Sequence, residues 1–196
     1  MDLKLGKEFA ELTDDDLRFF RGVVGEGSVK TDELDEYNVD FMSWYKGGKH
    51  WTGWRVHDEI VLSTKKITNT FLFDANSGVL DCDAEDADVR LAKDGFMVPI
   101  DLGAKGSCLI GGITATNAGG IRLIRYGSMH SHVLGMEVVV PDKHGTVLKL
   151  GSNLRKDNTD LHLHKLFVGS EGQLGVITRV QMLTVPKPTS VQCSFL

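Results

Sequence analysis

The stretch SCLIGGITATNAGGIRLIRYGS, residues 107–128, carries five of the chain's 22 glycines and no charge before Arg122. Glycine admits φ > 0 and lets another group approach the backbone, at a cost of up to about 1 kcal/mol relative to Ala in a helix interior. Such a stretch cannot run as one continuous helix or strand; it must break into short pieces around turns, with something lying against it. Two uses fit the pattern. One is tight packing of a turn or helix on a neighbouring element. The other is a segment in which Gly111, Gly112, Gly119 and Gly120 present N–H groups to an anionic or extended ligand, while the Thr116 hydroxyl and Asn117 amide add directed hydrogen bonds.

Two familiar phosphate cradles are excluded. GAKGS, residues 103–107, lacks the spacing and the terminal Gly-Lys-Ser/Thr of a P-loop, and no strand is followed by GxGxxG. The net charge of −5 supplies no basic footprint for nucleic acid. With 41% hydrophobic and 25% charged residues the composition is that of a soluble globular protein, and no apolar run approaches the roughly 18 residues of a membrane helix. Cys82, Cys108 and Cys193 are odd in number and without CxxC spacing, which predicts reduced thiols in a reducing compartment. The first twelve residues mix both charges and fit neither a secretory signal nor a transit peptide.

Along the chain, Thr13 followed by three aspartates and a run of apolar residues predicts an N-capped helix ending near Gly25. Residues 37–64, with three tryptophans, hold no sustained period until the apolar run at 60–62. Short strands are expected at 71–73 and 79–82 about a turn at 76–78, then a helix over 85–93 stopped by Gly95. HVLGMEVVVPD and TVLKL read as a hairpin about the turn-forming residues 142–145. DLHLHKLFVGSEG suggests a short helix leading into a glycine loop, and GVITRVQMLTV a strand closed by Pro186 and Pro188. The change of character near Pro99 marks the best lobe boundary.

The segments PIDLGAKGSCLIGGITATNAGGIRLIRYGSMHSHVLGMEVVVPD, LRKDNT and LFVGSEGQLGVIT together resemble the FAD-binding domain of D-2-hydroxyglutarate dehydrogenases, within the wider FAD-linked oxidase family that includes D-lactate dehydrogenases. The similarity is nearly continuous over 60–196 and weaker over 11–48. It implies an α+β (α/β) fold of the PCMH type. Two lobes would hold an extended FAD between them, the first with a small parallel sheet and the second with a larger antiparallel one. Residues 1–98 would form an incomplete first lobe and 99–196 the second.

By that resemblance Pro99, Asp101, Leu102, Gly103 and Ser107 line the cofactor, and Gly111, Gly112, Thr116, Asn117, Gly119 and Gly120 hydrogen-bond to it. Glu171 and Gly172 approach it, and Gly175, Val176 and Ile177 border it. Arg125 and Tyr126 either sit near the same pocket or are a surface ion-pair partner and a packed ring. His130, His132, His162 and His164 are expected to be solvated or core histidines, since the family's metal ligands are not in this segment. No catalytic residue is assigned.

The chain also departs from the family. Where relatives carry a second glycine-rich loop around the FAD pyrophosphate, YKGGKHWTGWRVHDE stands instead, and Gly47, Gly48 and Gly53 inherit no role. The pyrophosphate donors offset desolvation of two charges, so their loss bears directly on FAD retention. By the resemblance, the cap domain with the substrate contacts, the metal-binding histidines and the base is expected to lie outside this chain. The expectation is a truncated flavoprotein with D-2-hydroxy-acid chemistry, inactive alone, mitochondrial by resemblance, with a cytoplasmic location as the alternative because no presequence is visible. A D-lactate-type fragment and a non-catalytic protein that pairs with a full-length relative are the alternatives.

Overall fold

The structure, a computed structural model, describes residues 12–31, 60, 62–83, 87–104, 106–159 and 161–192. The chain divides into two compact units, Met1–Leu62 and Ser63–Leu196.

In the first unit, α1 (Asp14–Val24) starts where the sequence predicts it. The Thr13 hydroxyl accepts from the Asp16 amide, and the Asp16 carboxylate accepts from the Thr13 amide at 2.8 Å, closing a capping box. Gly25, at φ 87°, ends the helix and donates its N–H to the Arg21 carbonyl at 2.9 Å. The expectations for residues 37–59 and 61, and for Cys193, lie outside the described residues.

The second unit is built on a five-stranded sheet of β1 (Phe71–Asp74), β2 (Val79–Asp83), β4 (Val133–Val139), β5 (Val147–Gly151) and β6 (Val176–Leu183). Its spatial order is β1-β2-β6-β4-β5, and every neighbouring pair is antiparallel. The β1–β2 hairpin closes through the Asp74 carboxylate, which accepts from the Asn76 amide and the Ser77 hydroxyl, and through Gly78 at φ 68°. The β4–β5 hairpin closes in the same manner: Asp142 accepts from the His144 and Thr146 amides at 3.1 and 2.9 Å. A second, two-stranded sheet pairs β3 (Phe96–Met97) with β7 (Val185–Pro186).

One face of the large sheet makes the core. Leu80, Cys82, Val133, Met136, Val138, Ile177, Val180 and Met182 point into it and meet Ile110, Ile113, Met129, Phe167 and Val168 from the covering segments. Those segments include α2 (Asp88–Leu91), α3 (Ile110–Ala115) and α5 (Met129–His132), with single 3-10 turns at Ala92–Asp94 and Leu163–Leu166, while α4 (Leu123–Tyr126) buries none of its residues. The mixed α+β class with an antiparallel sheet is as the sequence predicts.

Two expectations need correction. Pro99 lies inside the second unit: β2 precedes it and β6 follows it, yet the two are hydrogen-bonded from Val79↔Leu183 to Asp83↔Arg179. A change in composition there marks a change of element and not of domain. The helix expected over 85–93 is one turn of α2 followed by the 3-10 turn, stopped by Gly95 in the left-handed region as foreseen, while residues 84–86 lie outside the described ones. All strand pairs of the described residues are antiparallel; the only parallel pairing among them is an isolated bridge between Asp101 and Gly120.

Candidate functional site

The glycine-rich segment folds as three short pieces. α3 comes first, and turns its Ile110, Gly111, Ile113 and Thr114 inward. Its carboxyl end is completed from elsewhere: the Gly169 amide donates to the Thr114 carbonyl at 3.1 Å and the Glu171 amide to the Ala115 carbonyl at 2.9 Å. These are carbonyls that a helix leaves without intrahelical partners, so the SEG loop is stitched to α3 through them. Glu171 adopts φ 51° to do so.

The turn after α3 is built from its own polar groups. The Thr116 hydroxyl donates to the Gly112 carbonyl at 3.2 Å, and the Asn117 side-chain oxygen accepts from the His130 amide at 2.9 Å. Asn117 is itself in the left-handed region at φ 50°. These bonds engage the Thr116 hydroxyl hydrogen and the Asn117 carbonyl oxygen within the fold.

Residues 119–122 then run beside residues 101–102. Gly120 bridges Asp101, and the Ile121 amide donates to the Asp101 carbonyl at 3.0 Å. The Arg122 guanidinium lies 3.0 Å from the Asp101 carboxylate, with a further contact of 3.0 Å to Met97 Sδ.

The glycines fall into two groups by what a methyl group would meet. At Gly119 it would stand 2.5 Å from Leu123 Cδ1, at Gly120 1.9 Å from the Asp101 carbonyl oxygen, and at Gly175 2.7 Å from both Val138 Cγ1 and the Val139 carbonyl oxygen. Close packing accounts for these three. Gly103, Gly106, Gly112 and Gly172 have open space where the methyl would be, so packing does not require glycine there. Gly106 and Gly172 are held at φ 93° and 80°, a backbone conformation that itself favours glycine.

Beside α3 lies a hollow lined by Ala87, Asp88, Val98, Ile100, Asp101, Leu102, Gly106, Cys108, Ile110 and Ile113. The Asp88 carboxylate accepts from the Val98 amide at 2.8 Å, fixing the wall of the hollow to the first turn of α2. Asp101 and Leu102, expected by resemblance to border a cofactor, are in this lining; the other eight residues of it were not singled out as site residues from the sequence. Apart from Asp88 and Gly106, their only sequence signal is apolar character, which core residues share.

The structure gathers Asp101 and Leu102 with Gly119 and Gly120, and α3, Thr116 and Asn117 with Glu171. Pro99 is buried, while Ser107 is exposed and its hydroxyl donates to the Ala104 carbonyl at 3.0 Å. Val176 and Ile177 stand on β6, Ile177 within the core of the sheet. Arg125 is exposed, its guanidinium 5.2 Å from the ring centre of Tyr126.

The histidines have local roles. His132 is buried, its Nε2 2.7 Å from the Tyr126 carbonyl oxygen. Burial pushes its pKa below the usual imidazole value, and the nearby Lys165 charge adds to that. The Lys165 ammonium donates to the carbonyls of His130 and Val133, the latter at 2.8 Å, and burial lowers its pKa as well. Among the described residues no group of three or more His, Cys, Asp or Glu is placed to hold a metal ion, and no helix is long and apolar enough to cross a membrane. The arrangement offers bare backbone at four glycines, beside a mainly apolar hollow of about 30 Å³ that has room for about one water.

Comparison with known proteins matches residues 36–151 to the FAD binding domain family. A putative mitochondrial D-lactate dehydrogenase of Schizosaccharomyces pombe is 38% identical over 236 aligned positions, covering 96% of this chain and 44% of that protein. The mitochondrial D-2-hydroxyglutarate dehydrogenase of Arabidopsis thaliana is 39% identical, covering 96% and 41%. That of Bos taurus is 53% identical over 145 positions, covering 72% and 26%. The chain thus spans less than half the length of these relatives. An alignment of 236 positions on a chain of 196 residues leaves at least 40 positions of the fission-yeast protein with no counterpart here. Among solved structures, an alkyldihydroxyacetonephosphate synthase shares the fold over 64% of this chain and 23% of its own, with a TM-score of 0.54 and 20% identity.

Proposed function

The chain belongs to the FAD binding domain family, and from that membership we propose that it is the cofactor-holding part of a flavin-dependent dehydrogenase oxidising D-2-hydroxyglutarate to 2-oxoglutarate. The observation that carries the substrate is the identity of 39 to 53% with proteins named D-2-hydroxyglutarate dehydrogenase. The residues present fit the cofactor. Gly103, Gly106, Gly112 and Gly172 leave backbone uncovered against which an extended ligand can lie, while the hollow beside α3, about 30 Å³, has room for a water and not for a ring system.

In this reading Gly112 and Gly172 let the ligand lie directly on the main chain. Asp101, Gly103 and Ser107 border it, with Glu171 closing the far side of α3. Bound FAD would supply the acceptor for the hydride leaving the substrate carbon. No residue of this chain is assigned the proton from the substrate hydroxyl; that task is assigned to the part of the relatives' length that the chain does not span. The chain by itself then holds cofactor without turnover. On the relatives' names we assign it to mitochondria.

A second reading keeps the site and changes the acid: the fission-yeast relative is named a D-lactate dehydrogenase. One experiment addresses the core of the proposal. The purified chain is incubated with FAD, passed through gel filtration and its absorption spectrum recorded. Retained flavin bands are expected, and a colourless protein overturns the cofactor reading. Bleaching of the retained flavin by D-2-hydroxyglutarate or by D-lactate would overturn the assignment of the chain as inactive and identify the acid.

A further inference from the structure

α5 is held at both ends by other segments. At its start the Met129 amide donates to the Ala118 carbonyl and the His130 amide to the Asn117 side-chain oxygen, each at 2.9 Å, and Ser128 before it gives no side-chain cap. At its other end the Lys165 ammonium, from the 3-10 turn Leu163–Leu166, donates to the carbonyls of His130 and Val133. His130 is thus gripped twice, its amide by Asn117 and its carbonyl by Lys165. Because the His130 group is an N–H donor, the Asn117 atom against it is the oxygen, and the amide nitrogen takes the other branch. No acceptor among the described residues meets that nitrogen. The Asn117 stem is fixed too: its backbone stands at φ 50°, and a methyl on Gly169 would come 3.2 Å from its Cβ.

We infer that Lys165 is a positioning residue of the candidate cofactor surface: through His130 it fixes the Asn117 side-chain amide in one orientation, leaving both N–H groups to donate to a ligand lying along α3 and residues 169–172. The inference rests on the flavin reading above for its ligand, but not for the relay from Lys165 to Asn117. Lys165 itself touches no ligand in this account. Its contribution is preorganisation, since an amide already held in its binding orientation loses less freedom when the ligand arrives. Nothing in the sequence marks Lys165 for this, because the relay joins three segments that meet only in the fold: residues 117–118, α5 and the 3-10 turn.

The test uses the whole chain, with FAD affinity read by quenching of flavin fluorescence in a double-variant cycle. Asn117→Gly, which takes the left-handed backbone without strain, is expected to weaken binding about tenfold, and Lys165→Met about fivefold. The double variant is expected to bind no more than about twofold weaker than Asn117→Gly alone, because Lys165 acts through the group already removed. A merely structural role for Lys165 would not depend on Asn117, and its loss would multiply with that of Asn117→Gly. Wild-type affinity in either single variant, or losses that multiply, overturns the inference. If Lys165→Met does not fold, Lys165→Arg is read instead: its guanidinium keeps donors for both carbonyls, so affinity within about threefold of wild type is expected, and a larger loss overturns it.

Hydrogen exchange without FAD gives a second readout. The His130 amide, which donates to Asn117, is expected to be protected in the wild type and to speed up in Lys165→Met by more than the amides of β6. A wild-type chain that fails to quench flavin removes the cofactor reading, and the relay is then judged on this amide alone, with exchange unchanged relative to β6 overturning it.

Discussion

Arg179 on β6 forks the Asp81 carboxylate on β2, with Nε 2.6 Å from Oδ1 and the terminal nitrogen 2.7 Å from Oδ2. Gln181, directly across from Asp81 in the ladder, adds a third donor at 3.2 Å. Asp81 is 8% exposed, so its charge depends on these partners, and the hydrogen bond to Asp81 holds the Arg179 pKa further up. Arg179→Met is expected to lower stability by about 2 to 3 kcal/mol, somewhat below the cost for a fully enclosed pair because the guanidinium is 30% exposed. Asp81→Leu with Arg179→Met should recover most of it, since an uncompensated carboxylate costs more than a lost pair. Urea unfolding of the two variants measures this; equal losses in both would show that the carboxylate is not the source.

Gly120 is where the fold leaves no room. At φ 70°, with a Cβ position 1.9 Å from the Asp101 carbonyl oxygen, any side chain must push residues 101–102 and 119–122 apart. Gly120→Ala is expected to cost about 3 kcal/mol or more, combining left-handed strain with steric displacement. A melting temperature equal to wild type would contradict that packing.

Gly112 makes the opposite case. It is an exposed position in α3 with open space at its Cβ. Gly112→Ala should leave stability unchanged or raise it by up to about 1 kcal/mol, the helix propensity gain. If the proposed cofactor lies on this backbone, the same methyl should cut FAD affinity by about tenfold, the equivalent of roughly 1.4 kcal/mol. A gain in melting temperature with a loss of flavin binding is the expected pair of results; unchanged affinity would remove Gly112 from the site.

This contrast shows what could be read before the fold was seen. The hairpins about residues 75–78 and 140–146 were legible because Asp74, Gly78, Asp142 and Gly145 act within a few residues of themselves. So was α1, whose Thr13 and Asp16 carry their own cap. The pairing of β2 with β6 was not legible, since alternating apolar residues name no partner strand. For the same reason the glycine segment stayed open between packing and binding. Gly119, Gly120 and Gly175 face Leu123, Asp101 and Val138 only after the chain has folded, while Gly112 faces none of them. The ion pair of Asp101 with Arg122 likewise depends on two segments meeting in space.

His132 and Lys165 give the chain a defined pH response. Burial lowers the His132 pKa below 6.5, so in the folded chain the ring stays neutral, its Nε2 against the Tyr126 carbonyl. The unfolded chain takes up a proton near 6.5 and the folded chain does not until its lower value is reached, so the unfolded state binds more protons in between. Stability contributed by His132 is therefore complete above 6.5 and falls as the pH drops through that window. Between about pH 7 and about pH 5 the wild type should lose stability, and His132→Gln, whose amide can still donate to Tyr126, should lose less. Lys165 enters through both its charge and its hydrogen bonds. Replacing it with Met removes a cation that opposes protonation of His132, so the imidazole pKa, followed by NMR titration, should move up toward its ordinary value while burial still holds it below. The same change strips the His130 and Val133 carbonyls of their donor, at an expected cost of about 1 to 3 kcal/mol. An imidazole titration that stays where it was in Lys165→Met would mean that burial alone sets the His132 pKa.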